Sequence, residues 1–109
     1  LRAIVEQSPA VIIVTNRRCE ITWVNRAFTE VTGWTFDEVR GCSPRSFLHG
    51  PRTDQAEAAR LAGLTGAGQP VTAFELVNYK KSGEPYWVSL NVRPVMVAVR
   101  SPRRNAPPS

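Results

Sequence analysis

Apolar residues come in short bursts along this chain, and the period of the bursts changes from one segment to the next. Val11-Ile12-Ile13-Val14 is a β-branched run suited to a buried strand. The polar turn Asn16-Arg17-Arg18-Cys19 joins it to a second strand, Ile21-Thr22-Trp23-Val24, so the pair reads as a hairpin. Asn25 follows as a helix N-cap, able to accept from the free N–H groups of a first turn. Phe28 and Val31 recur at helical spacing, and Gly33 stops that short helix. Thr35 caps a further turn, Phe36-Asp37-Glu38-Val39, with its acids at the positive helix end, and Gly41 stops it. Thr53 or Asp54 caps a longer helix that weakens at Gly63 and Gly66. Ala56, Ala59 and Ala62, with Leu61 and Leu64, predict a small-residue face on it that lets the helix approach a sheet or ligand closely.

Period two returns from Val71 to Lys80. Alternation places Thr72, Phe74, Leu76 and Asn78 on one face and residues 71, 73, 75, 77 and 79 on the other. Lys81-Ser82-Gly83-Glu84 is a hairpin turn. In the strand after it, Tyr86, Val88, Leu90 and Val92 share one face, and Trp87, Ser89, Asn91 and Arg93 share a mixed outer face. An outward Trp87 marks a contact surface. Pro94 interrupts the ladder, and the apolar run 95–99 has no hairpin turn before it. At the start, apolar residues 1, 4 and 5 predict a short leading helix ended by Pro9. The order of elements predicts an α+β fold, an antiparallel sheet with short helices gathered on one face.

Size and charge narrow the function. A chain of 109 residues with 42% hydrophobic content suits one small domain with a modest core. No apolar run approaches the ~20 residues of a membrane span. The first residues are broken by charges, unlike a signal peptide. The expectation is a cytoplasmic domain with no membrane partner. The net charge of +5 is concentrated late: residues 1–99 hold 11 basic and nine acidic side chains, a net of +2. The domain is therefore placed at 1–99, and residues 100–109 are expected to be a disordered, basic, proline-rich tail. Three arginines among Ser, Pro and Asn are expected to be solvated rather than bound to nucleic acid. Cys19 and Cys42 stand far apart, and His49 is the single histidine, so no metal-ligand spacing exists. His49 also lacks a base-orienting partner at a recognisable spacing, and Asp37-Glu38 sits at a helix start where dipole stabilisation explains it. No catalytic residue is assigned and the chain is not expected to be an enzyme.

One stretch stands out for chemistry. Between Gly41 and Asp54 lie Cys42 and His49, two further punctuating prolines, Pro44 and Pro51, and Gly50. Such punctuation between helical segments marks a shaped loop.

The segment Ile21-Thr22-Trp23-Val24-Asn25-Arg26-Ala27-Phe28-Thr29-Glu30-Val31-Thr32-Gly33-Trp34 resembles the PAS pattern I-x-x-V-N-x-A-F-x-x-x-T-G-[YW]. Residues 47–54 and 75–87, the latter including Asn78-Tyr79, resemble the subgroup closest to light-oxygen-voltage (LOV) flavin domains. The likeness covers residues 1 to about 95. It implies a PAS fold: five antiparallel strands holding a pocket against the helices, the fifth strand central between the first and fourth. Four strands are placed readily here. For the fifth only residues 95–99 remain, which could be strand again; the resemblance leaves the chain end truncated or divergent, this segment displaced, or the gap filled by a second chain.

In photoactive LOV domains the loop carries Asn-Cys-Arg-Phe-Leu-Gln, whose cysteine adds to excited flavin. Here that cysteine falls at Pro44, which has no thiol, and Cys42 lies two residues earlier. Carried over singly, the flavin contacts that remain are Asn78 and Arg45, with His49 in place of a glutamine. A further asparagine becomes Val88, the helix arginine aligns with Ala62 near Arg60, and the glutamine of the last strand has no counterpart. The candidate pocket is therefore Asn78, Arg45, His49, Phe74, Leu76, Tyr86 and Val88, the apolar members serving equally as plain core. FMN is not the favoured ligand, since a flavin edge facing Val88 would go unpaired at a cost of about 1–3 kcal/mol. Haem is disfavoured too, because the long helix holds no axial histidine. The resemblance implies a sensory or dimerisation module of a larger signalling protein. Its partners would be a second copy or a fused effector of histidine-kinase or cyclase type. The alternative it leaves is a flavin-binding photoreceptor.

Overall fold

A computed structural model describes residues 10–94 and 96–101. The expected leading helix and all but the first two residues of the expected tail lie outside these. Among the described residues no helix is long and apolar enough to cross a membrane.

Strands β1 (Val11–Thr15) and β2 (Ile21–Val24) form the expected antiparallel hairpin, with Ile13 opposite Val24 and Val14 opposite Trp23. Asn16 shapes its turn by accepting the N–H groups of Arg18 and Glu20 on Oδ1 at 2.9 and 3.0 Å. Helix α1 (Arg26–Thr32) begins at Asn25, whose Oδ1 accepts from Phe28 N–H, and ends at Gly33 in the left-handed region at φ 82°. Helix α2 (Phe36–Val39) carries a full capping box: Thr35 accepts from Glu38 N–H and the Glu38 carboxylate accepts from Thr35 N–H. The stretch read as a loop contains a short helix, α3 (Arg45–Leu48), starting at Pro44, whose φ of −53° suits a helix start. Helix α4 (Gln55–Gly66) is capped by Asp54, which accepts from Glu57 N–H.

The expected face of α4 packs through its leucines, with Ala62 half-buried. Ala56 and Ala59 are exposed, and Leu61 and Leu64 are the residues that lie against the core. Their larger apolar surface is the stronger reason to be covered.

Strand β3 (Val71–Tyr79) pairs with β4 (Pro85–Arg93), and β4 pairs with β5 (Met96–Arg100). The five strands run β2-β1-β5-β4-β3. The fifth strand is thus present and central, bonded to β1 through Val11–Val99 and to β4 through Leu90–Val99. This corrects the expectation of a missing or borrowed strand. Arg93 lies opposite Met96, so only two residues connect β4 to β5, and Pro94 sits in that tight turn. A turn without glycine or asparagine hid the hairpin.

Simple alternation also fails at the start of β3. Its register shifts between Val71 and Phe74, with Ala73 at φ 53°, so both Val71 and Phe74 are buried. Asn91 Oδ1 accepts from Ala73 N–H at 3.0 Å and holds this bulge. The core is one cluster between sheet and helices, with Ile13, Phe28, Leu76 and Val88 among its most deeply buried members.

Candidate ligand pocket

The β3–β4 ladder builds the pocket wall. Phe74 faces Leu90, Leu76 faces Val88 and Asn78 faces Tyr86. Phe74, Leu76 and Val88 are buried in the common core cluster, and half-buried Tyr86 packs against it. Five of the seven expected residues therefore share one inward face. Burial pushes the Tyr86 phenol up to about 12.

Asn78 differs from its apolar neighbours. It is buried to 4% exposure, and its Oδ1 has no hydrogen-bond partner among the described residues. An unpaired buried carbonyl oxygen costs about 1–3 kcal/mol and calls for an explanation that apolar packing does not supply.

The segment 49–54 is fastened to β3 on both sides of Asn78. Thr53 Oγ1 donates to Val77 O at 2.8 Å and accepts from Gly50 N–H at 3.0 Å. Arg52 N–H donates to Tyr79 Oη at 2.7 Å. The Tyr79 ring lies against Gly50 so closely that a Cβ there would stand 2.5 Å from it. Glycine is required here by close approach.

The two remaining expected residues sit in this segment or just before it. His49 ends α3 and is half-buried; burial, then the charge of Arg45, lowers its pKa below the ordinary histidine value. Arg45, at the start of α3, is exposed. The backbone of partly buried Cys42 pairs with the edge of β2, its carbonyl accepting from Ile21 N–H at 2.9 Å.

Sequence reasoning left two neighbours out of the site. Trp34 follows the helix-stopping Gly33, and its ring packs edge-on against Phe47 with centroids 5.4 Å apart. Its Nε1 is buried without a hydrogen-bond partner among the described residues. Arg60 on α4 lies over the Phe74 ring at 4.6 Å and is ion-paired with Glu57 at 2.9 Å. Glu57, Arg60 and Phe74 edge an open groove of about 480 Å³ between α4 and β3. The signal for Trp34 was available, since a tryptophan N–H needs an acceptor when buried. For Arg60 the aligned position, Ala62, pointed one helical step away.

A family model of the PAS domain matches residues 9–102. The chain belongs to the PAS family. Its five-stranded antiparallel sheet with short helices is the PAS fold. Among curated proteins, this PAS domain is 40% identical over 96 residues to a blue-light-activated histidine kinase of Brucella anthropi. It is 37% identical over 97 residues to proteins of the same description from Brucella ovis and Brucella canis. The matches cover 85–86% of the chain and 19% of each relative, so the chain spans about a fifth of the length of the curated relatives it matches. The likeness supports a PAS domain close to the LOV-like group.

Proposed function

We propose that the chain is the sensory and dimerisation module of a larger signal-transduction protein, with its input a small ligand in the core or contact with a partner. It carries out no catalysis of its own. The observation that carries this reading is the Asn78 amide, buried on the inward face of a PAS sheet with an oxygen left unpaired. A ligand N–H or O–H would satisfy it. Leu76, Val88, Phe74 and Tyr86 would form the apolar wall around that contact, with His49 at the loop end and Arg45 outside it.

The output would pass to a fused effector of histidine-kinase or cyclase type, across the outer sheet face at Trp87 or through the ends of the domain. The relatives are kinases by description, and the match spans only a fifth of them. On this reading residues 1–99 are the sensory unit, 100–109 a basic tail, and the host protein is cytoplasmic and forms homodimers.

Chemical-shift mapping against a set of uncharged heteroaromatic fragments tests the site. Saturable shifts centred on Asn78 and Tyr86 are expected; a set that leaves both untouched would contradict a core ligand site.

A flavin photoreceptor is the second reading, and the description of the relatives favours it. The residues present do not fit that group. On this wall FMN would meet the unpaired Asn78 amide, while Val88 offers no polar group where a second contact is needed. Pro44 offers no thiol for an adduct. An absorption spectrum after incubation with FMN and desalting separates the readings. No retained flavin band is expected, whereas a band that bleaches in blue light would establish the photoreceptor.

A further inference from the structure

We infer that the outer side of the sheet carries a docking pocket for a guanidinium, and that its occupant is this chain's own segment 102–109, through Arg103 and Arg104. The pocket lies on the opposite face of β3 from Asn78. It goes beyond the core-ligand reading, which stands or falls separately.

A pocket of about 200 Å³ lies between the outer face of the β3–β4 ladder and the start of α4. Alternation turns Glu75, Val77 and Trp87 outward, away from Leu76, Asn78 and Val88. Trp87 faces Val77 across the ladder and is half-buried; Val77 is 4% exposed yet lies outside the core cluster. These two give the pocket an aromatic and an aliphatic surface. Arg52, Asp54 and Glu57 close it from the other side. Thr53 fastens that segment by donating to Val77 O at 2.8 Å, and Asp54 caps α4. Glu57 also holds Arg60 at 2.9 Å. The lining combines three carboxylates with one guanidinium, in a chain whose net charge is +5. An indole face beside carboxylates suits a further guanidinium, whose flat fork bonds carboxylate oxygens while its face stacks on the ring. An ammonium would use the charge and forgo the planar stacking.

The sheet brings the tail to this pocket. Arg100 lies opposite Ser89, and Ser89 opposite Glu75, so the three stand on one rung of the outer face, while Val99 before them is buried in the core. β5 runs parallel to β3 with β4 between them. Each residue beyond Arg100 therefore advances one rung toward Trp87 and Val77, which stand two rungs on. Neighbouring strands are about 4.8 Å apart, which puts Arg100 about 10 Å from Glu75. Three extended residues span about that distance, and Arg103 and Arg104 are the third and fourth after Arg100. Pro102 has no N–H to carry the ladder on, which favours departure from the sheet at the level of Trp87. So short a tether gives the tail an effective concentration on the order of millimolar at the pocket, above that of a second copy in solution. Composition alone would leave both arginines in water; the pocket beside their exit is the reason to dock them.

The test is NMR of the isotope-labelled 109-residue chain. The chain has three tryptophans, and Trp87→Phe assigns the indole signal. Nuclear Overhauser contacts are expected from the Trp87 ring to the side chains of Arg103 or Arg104. Replacing both arginines, Arg103→Ala with Arg104→Ala, should shift the Trp87 indole N–H and the Glu75 and Val77 amides and leave the Trp23 and Trp34 indoles still. Glu75→Lys should remove the same contacts. N-acetylarginine amide added to the double-alanine protein should move these signals back toward the parent, and N-acetyllysine amide should do so less. If the ring shows no contact with either arginine and the double-alanine change leaves its signal in place, the tail is solvated and the inference falls. If the contacts arise only between chains in an isotope-filtered mixture of labelled and unlabelled protein, the occupant is a second copy and the assignment to the same chain is overturned. If the lysine and arginine amides act alike, the preference for a guanidinium is overturned. None of these results bears on fragment binding at Asn78, so failure here is distinguishable from failure of the core site.

Discussion

Asn25 and Asn78 are both buried asparagines, at 1% and 4% exposure, and they do opposite things. Asn25 is saturated. Its Oδ1 accepts from Ile12 N–H at 3.0 Å and Phe28 N–H at 3.1 Å, and its Nδ2 donates to Ala10 O at 2.8 Å. One side chain thus caps α1 and pins it to β1. Asn78 lies near the hairpin end of a well-paired ladder that needs nothing from its side chain, and its Oδ1 is left over. A buried amide whose groups are all used is a strut. A buried amide with an oxygen unused, in a wall of Leu and Val, is a place kept for something else. Residue type and burial do not distinguish the two; the partners do.

The largest effect is expected at the strut. Asn25→Leu removes three side-chain hydrogen bonds, including the one that the buried Ile12 N–H makes to Oδ1. It should lower unfolding stability by about 3 kcal/mol or more, read by urea titration. A loss under about 1 kcal/mol would erase the contrast with Asn78.

The next test concerns Tyr86, across the ladder from Asn78. Its folded-state pKa is raised by burial to about 12 from the ordinary 10. The group therefore contributes stability that is complete below about pH 10 and is lost as pH rises to about 12, because the unfolded chain ionises first. Two pKa units correspond to about 2–3 kcal/mol. Tyr86→Phe should match the parent at pH 7 and gain on it between pH 10 and 12 in pH-dependent unfolding. Equal slopes would mean that the wall at Asn78 is open to water.

Gly50→Ala sets a Cβ against the Tyr79 ring and should cost about 1–3 kcal/mol in thermal or urea unfolding. Gly63→Ala, in a helix with open space around it, should stabilise by about 0.5–1 kcal/mol. A neutral Gly50→Ala would show that segment 49–54 does not hold β3 beside Asn78. Arg45→Ala should change neither stability nor fragment affinity measurably, since its side chain is exposed.

Much of the strut region was legible in the sequence, because caps are local. Asn25 before Phe28, Thr35 three residues before Glu38, and Gly33 after a helix each state their role within a few positions. The first two hairpins were legible for the same reason. The inward face of β3 and β4 followed from period two, which gathered Phe74, Leu76, Asn78, Tyr86 and Val88 correctly. What failed was non-local or unconventional. The bulge at Ala73 depends on Asn91 in another strand, so nothing within β3 announced that Val71 turns inward. The central fifth strand follows a turn at Pro94 that has neither glycine nor asparagine. Helix α3 is too short to show a period. Trp34 stood in the quoted motif, yet an unmet N–H is visible only once its neighbours are in place.

The most direct measurement is the stability of Asn78→Leu in the absence of ligand. Replacing an unsatisfied buried acceptor with an apolar side chain of similar size removes a desolvation cost and loses no bond to that oxygen. Urea unfolding of the purified chain should give a stability equal to the parent or higher by up to about 1 kcal/mol, with neutral-fragment binding lost. A drop of about 2 kcal/mol or more, like that expected for Asn25→Leu, would show that Asn78 is another strut and contradict its role as the ligand contact.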